Sequence, residues 1–106
     1  MAGYEESFLA CGVDPLLLLA ISINESNMAK AYSDEFNEQY HNAFGLSYKG
    51  KLIKFESWDK SISKACSTVV KLMGTEINIP KLASRYAEDP LWADKVSNLY
   101  SKLTSI

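Results

Sequence analysis

Gly12-Val13-Asp14-Pro15-Leu16-Leu17-Leu18-Leu19-Ala20-Ile21-Ser22-Ile23-Asn24-Glu25-Ser26 is the stretch on which the reading of the chain turns. Asp14 followed by Pro15 marks a helix start. The aspartate oxygen can accept from an unsatisfied N–H of the first turn, and proline suits a position whose own N–H has no helical partner. From Leu16 to Ile23 the helix is apolar on nearly every side, so it has to be enclosed by protein rather than laid on a surface. The apolar run is also far shorter than the roughly 20 residues needed to cross a bilayer. It therefore reads as the central helix of a core. Polarity changes abruptly at Asn24-Glu25-Ser26-Asn27, which puts Glu25 near the C-terminal end of that helix.

A carboxylate in that place loses hydration and faces the negative end of the helix dipole, and both effects raise its pKa. A carboxylic acid still protonated near neutral pH is what glycosidic cleavage requires, because the leaving sugar oxygen must receive a proton as the bond breaks. Glu25 is the candidate catalytic acid on this argument. On spacing alone, the plainer reading of Glu25 as the first solvated residue after a core helix wins, and the surrounding string has to tip the balance.

Outward from the central helix, Tyr4 to Ala10 predicts a short helix stopped by Gly12. The polar stretch Ser33 to Tyr40, with Asp34, Glu35 and Glu38, predicts a loop or one irregular helical turn. Tyr48-Lys49-Gly50-Lys51 lies between two β-capable runs and predicts a short hairpin with its turn near Lys49-Gly50. Ser57 is a plausible N-cap for a helix with Trp58, Ile62, Ala65, Cys66, Val69, Leu72 and Met73 at helical spacing, ended by Gly74. A short helix from Lys81 to Tyr86 follows. Asp89-Pro90 then opens a last helix with Trp92, Val96, Leu99, Tyr100 and Leu103 on one stripe. The expected fold is mostly α: a helical domain with a buried central helix and a short β-hairpin.

With 106 residues, 47% of them apolar and 11% aromatic, the chain can bury one core and has no room for a second domain. A net charge of −2 is the wrong sign for a protein that neutralises many phosphates, so no nucleic-acid partner is expected. Cys11 and Cys66 have no metal-ligand spacing, and His41 is the single histidine, so neither a metal nor a cofactor is expected. The two cysteines read as buried thiols acting as small hydrophobes in preference to a disulfide. No signal segment opens the chain, so an export signal has been removed or lies on a longer parent protein.

The string from Gly12 to Ser26 resembles the catalytic helix of the lysozyme-like superfamily, most nearly that of the bacterial endo-β-N-acetylglucosaminidases, in which the helix ends in a catalytic Glu followed by a small residue. Asn42-Ala43-Phe44-Gly45-Leu46 resembles the family's Asn-x-Phe-Gly-(Ile/Leu) segment. Phe55-Glu56-Ser57-Trp58 is similar to its Phe-(Arg/Lys)-x-Tyr-x-Ser-Trp region. The run Leu82 to Ala93, containing Tyr86-Ala87-Glu88-Asp89-Pro90-Leu91-Trp92-Ala93, is similar to its Tyr-Ala-Thr-Asp-Pro-x-Tyr-Ala signature. The four segments keep the family's order across most of residues 12 to 100.

The resemblance implies a single lysozyme-like domain over residues 1–106, whole or cut from a longer chain, that hydrolyses peptidoglycan glycan strands. Glu25 would be the proton donor, Asn42 and Phe44 would sit beside the cleft, and Tyr86 would face the reacting sugar. Tyr48, Trp58 and Tyr86 are candidate sugar-stacking faces. Trp58 and Trp92 also fit helix core stripes, and for Trp92 the core reading is preferred. The setting implied is extracytoplasmic, secreted or wall-associated, or phage-borne, for a protein expected to be monomeric.

One departure stands out. The glucosaminidases usually carry a second acid on a longer β-lobe, whereas Ser47 to Phe55 contains none. Glu56 is the nearest acid in sequence and a candidate substrate-binding residue, with Asp34, Glu35 and Glu38 in the preceding segment. With a single acid, two chemistries stay open: participation by the substrate's acetamido oxygen, or attack by the muramic 6-hydroxyl as in lytic transglycosylases. The missing acid also keeps a second class of function in view, a non-catalytic module of the same fold that binds glycan strands or a wall-assembly partner.

Overall fold

The computed structural model describes residues 5–84 and 89–105. Along the chain these form α1 (Glu5–Leu9), α2 (Pro15–Ser26), α3 (Asp34–Tyr40), β1 (Ser47–Tyr48), β2 (Lys51–Leu52), α4 (Trp58–Met73), α5 (Ile79–Leu82) and α6 (Trp92–Thr104). The mostly helical class and the small hairpin are as the sequence leads one to expect. Tyr86 lies outside the described residues.

α2 starts as its sequence dictates. Asp14 Oδ1 accepts from the Leu16 N–H at 2.9 Å, with Pro15 in the first turn. Leu17, Leu18, Ala20 and Ile21 are buried to within 1%, so α2 is enclosed. Phe44, Leu46, Ile62, Ala65, Val69, Leu82, Trp92 and Val96 complete the core around it. α6 is the main partner of α2, α1 packs on α4, and α5 bridges α4 to α6.

Two polar clamps tie α6 along α2. At one end the Tyr100 hydroxyl donates to Asp14 Oδ2 at 2.6 Å, and at the other the Trp92 Nε1–H donates to Glu25 Oε1 at 2.9 Å. Asp14 therefore serves both as the cap of α2 and as an anchor for α6.

Three local features differ from the sequence reading. The acidic stretch after Ser33 is a helix: Ser33 Oγ accepts from the Phe36 N–H at 3.1 Å, and Asp34 and Glu35 occupy the first turn, where negative charge complements the helix dipole. Tyr32, Phe36 and Tyr40 then meet at four-residue spacing, Tyr32 tilted against Phe36 (ring centroids 4.4 Å apart) and Phe36 stacked on Tyr40 (4.2 Å). α5 begins at Ile79, before Lys81, because Asn78 caps it and Pro80 fits its first turn.

The third difference is a correction. Cys11 and Cys66 are not thiols; they form a disulfide with Cα atoms 5.5 Å apart, and no free cysteine remains. Packing of α1 against α4 brings the two positions within bridging distance.

The hairpin is as compact as its sequence implies. Ser47 pairs with Leu52 and Tyr48 with Lys51. Lys49 and Gly50 both take left-handed conformations (φ 52° and 79°), as a two-residue turn that follows the twist of its strands requires.

Candidate active site

Glu25 is in the last turn of α2, and three parts of the chain close around it. From α6 comes the indole of Trp92, itself only 2% exposed, which holds Oε1. From the segment before the hairpin comes Gly45, whose missing side chain makes room for the acid. A Cβ built there would lie 3.5 Å from Oε2 and 3.6 Å from Cδ of Glu25. From the turn after α2 comes Tyr32, near enough to feel the charge of Glu25.

That turn is unusual. Asn27, Met28 and Ala29 are consecutive residues with φ of 49°, 57° and 69°, a left-handed region that costs an ordinary residue roughly 1–2 kcal/mol. Ser26 offsets this. Its Oγ accepts from the Ala29 N–H at 2.8 Å and donates to the Ala43 carbonyl at 2.7 Å, and its own carbonyl accepts from Ala31 N–H. The small residue after the acid thus folds the chain back and welds it to the Asn42–Leu46 segment.

Asn42 is 1% exposed, and its amide is fully engaged. Nδ2 donates to the carbonyls of Leu46 (2.8 Å) and Ile53 (3.0 Å), while Oδ1 accepts from the Leu46 N–H. Phe44 is completely buried and lies 6.2 Å from the ring of Phe8. Both residues fix Gly45 against the acid and the hairpin beside it.

The other expected site residues are dispersed. Tyr48 is 69% exposed on β1. Glu56 is exposed and ion-paired with Lys60 one turn on in α4, which holds its carboxyl below the ordinary carboxylate range. Trp58 is half-buried against the core and meets His41 edge to face, and His41 Nδ1–H donates to the Phe55 carbonyl. Trp92 is a core residue, as preferred from its stripe, yet the tip of its ring reaches the acid. That role and the nearness of Tyr32 are not visible in any local pattern.

Burial pushes the Glu25 carboxyl above its ordinary range; the Trp92 hydrogen bond pulls part of the way back, and the charge of Asp89 adds to the rise. Asp89 stays ionised, its pKa lowered by Lys95 and by the Leu91 N–H it caps. Burial and the charge of Glu25 both raise the Tyr32 phenol, so it remains a neutral hydroxyl. The arrangement is a protonatable acid with one oxygen held by an indole and the other beside a glycine.

Among the described residues no three His, Cys, Asp or Glu side chains gather as a metal-binding group, and no helix is long and apolar enough to cross a membrane. A shallow depression of about 560 Å³ lies over the disulfide, lined by Ser7, Cys11, Asp59, Cys66 and Val70. None of the side chains around Glu25 reaches it.

The family model described as glucosaminidase, mannosyl-glycoprotein endo-beta-N-acetylglucosaminidase, matches residues 2–105 of the chain. No curated protein and no solved structure matches it.

Proposed function

Since the chain belongs to the glucosaminidase family, we propose that it is a peptidoglycan hydrolase that cleaves the β-1,4-linked GlcNAc–MurNAc strand by proton donation from Glu25. The observation that carries this reading is the environment of Glu25: a half-buried carboxyl with a raised pKa, clamped through Oε1, with Oε2 on the side of Gly45, which has no side chain. With Oε1 accepting from Trp92, the proton resides on Oε2, from which it passes to the glycosidic oxygen as the bond to the sugar breaks. A module that only binds has no use for a carboxyl held at a desolvated helix end, where burial raises its pKa.

Tyr32 supplies a neutral hydroxyl near the acid, suited to a sugar hydroxyl or acetamido group, and Tyr86 is assigned the facing side of the reacting sugar. Asn42 and Phe44 shape the site from behind. Tyr48, exposed on the adjoining hairpin, and Glu56 contribute at most to outer subsites. The working location is outside the cytoplasmic membrane, with which a disulfide is compatible.

Glu25→Gln tests the proposal. The amide keeps the shape and the Trp92 hydrogen bond but has no proton to give, so lysis of purified cell walls should fall by about 10²- to 10⁴-fold. Glu56→Gln should keep most of the activity. A folded Glu25→Gln protein that lyses walls at the parental rate would remove Glu25 from the mechanism. Mass spectrometry of the products assigns the chemistry, since reducing GlcNAc, reducing MurNAc and anhydro-MurNAc ends differ in mass or fragmentation.

A further inference from the structure

The hairpin that begins beside Glu25 is basic. Between Ser47 and Phe55 it carries Lys49, Lys51 and Lys54 and no acid, in a chain whose net charge is −2. All three lysines are exposed. The ion pairs among the described residues, Lys60–Glu56 and Lys95–Asp89, leave these three out. Two of the ammonium groups rest on aromatic rings, Lys49 Nζ 5.4 Å from the Tyr48 centroid and Lys54 Nζ 5.2 Å from that of Tyr40. A ring face steadies a cation while leaving most of its N–H donors free for an anion.

The base of the hairpin is fixed. Asn42 ties Leu46 to Ile53, and Gly45 lies in contact with Glu25. Tyr48 is three residues beyond Gly45, so the chain between them spans at most about 10 Å. Lys51 is its cross-strand neighbour on the same face.

We propose that the hairpin is a carboxylate-binding arm, in which Lys49, Lys51 and Lys54 grip the acidic peptide stems borne by the glycan strand next to the bond to be cut. The substrate is that of the function proposed above, on which this inference rests. Peptide carboxylates fit better than a phosphodiester polymer of the wall for two reasons. The arm is continuous with the acid, so the anion it meets has to travel on the strand in the site. Its three charges are also spread over the turn (Lys49), β2 (Lys51) and the segment after it (Lys54), suiting separate carboxylates more than one clustered phosphate.

The test measures binding, independently of cleavage. Binding of the Glu25→Gln protein is measured on wall fragments coupled to a support through the glycan and freed of phosphodiester polymers, on the same fragments after amidase removal of the stem peptides and amidation of the lactyl carboxyls this exposes, and on fragments that retain the polymers. Removing the stems should weaken retention by about tenfold, equivalent to about 1.4 kcal/mol. Lys49→Gln/Lys51→Gln/Lys54→Gln in the same background should lose as much on stem-bearing walls and nothing further on stem-free ones. The corresponding triple Arg variant should restore retention, and salt should weaken it. Undiminished retention of the triple Gln variant would overturn the proposal. So would a loss that persists on stem-free walls, or one confined to walls that retain the polymers. If the parent protein, with Glu25 intact, shows the stem dependence but never cleaves, the hydrolase reading is refuted and the arm stands.

Discussion

Replacing Gly45 by alanine adds one methyl group at the carboxyl of Glu25. The new Cβ would lie 3.5, 3.6 and 3.7 Å from Oε2, Cδ and Cγ, ordinary contact distances at which nothing has to move. The cost to stability is then the backbone's alone, about 1–2 kcal/mol for a side chain held at φ +65°, or some 4–8 °C of Tm per kcal/mol. Gly12→Ala is the matched control: φ is +85° and nothing lies within 4 Å of the added Cβ, so it should lose a similar amount. The two variants should part in activity. Proton transfer needs the leaving oxygen about 2.6–3.2 Å from Oε2, and a methyl on that side holds the sugar back by about an ångström, a displacement that costs on the order of 10²-fold. Urea unfolding and initial rates of wall clearing, both taken well below either Tm, give the comparison. Equal rates at equal stability would show that substrate does not approach past Gly45. A much larger stability loss for Gly45→Ala than for Gly12→Ala would refute the contact geometry itself.

Asp89→Asn keeps the cap on the Leu91 N–H but removes a charge that helps raise the Glu25 pKa; the alkaline limb of the pH–rate profile should move to lower pH, and a limb that stays or rises contradicts the electrostatics. Because the folded state raises the Glu25 pKa above 4.5, its contribution to stability is fully present below that pH and is lost as pH rises through the folded value. Glu25→Gln, which cannot ionise, should therefore match the parent in acid and exceed it in urea midpoint near neutrality, an expectation refuted if it is the less stable protein there. Removing the disulfide by Cys11→Ala/Cys66→Ala frees a 55-residue separation, for which loop-closure entropy gives a loss of about 4 kcal/mol. Parent protein in reductant should unfold at the same urea concentration as this variant, and a negligible loss would mean that the bridge does not form in solution.

What could be read in the sequence was local. Asp14-Pro15, the enclosed run to Ile23, Ser57 before α4 and Lys49-Gly50 in the turn each carry their instruction within a few residues, and each element lies where that instruction puts it. α3 was legible in principle, since Ser33, two acids in the first turn and aromatics at Tyr32, Phe36 and Tyr40 are helix signals; its polarity outweighed them. The partnership of Glu25 with Trp92 spans 67 residues. On α6, Trp92 obeys the core stripe, and periodicity says nothing of where an indole N–H ends. The disulfide was hidden for the same reason, because a separation of 55 residues carries no geometry until α1 has packed on α4. Asn42 carried a family motif without its reason, which is the tie between the two strands' bases.

The two clamps between α2 and α6 make the strength of the acid a report on assembly. Asp14 and Glu25 are made early in the chain, whereas their partners Tyr100 and Trp92 are made late. Without α6, Glu25 would lose the Trp92 hydrogen bond and part of the burial that raises its pKa. Packing of α6 supplies the indole that orients the carboxyl, and burial raises its pKa against the pull of that hydrogen bond. The packing of α6 on α2 and the electrostatic setting of the carboxyl are thereby established together.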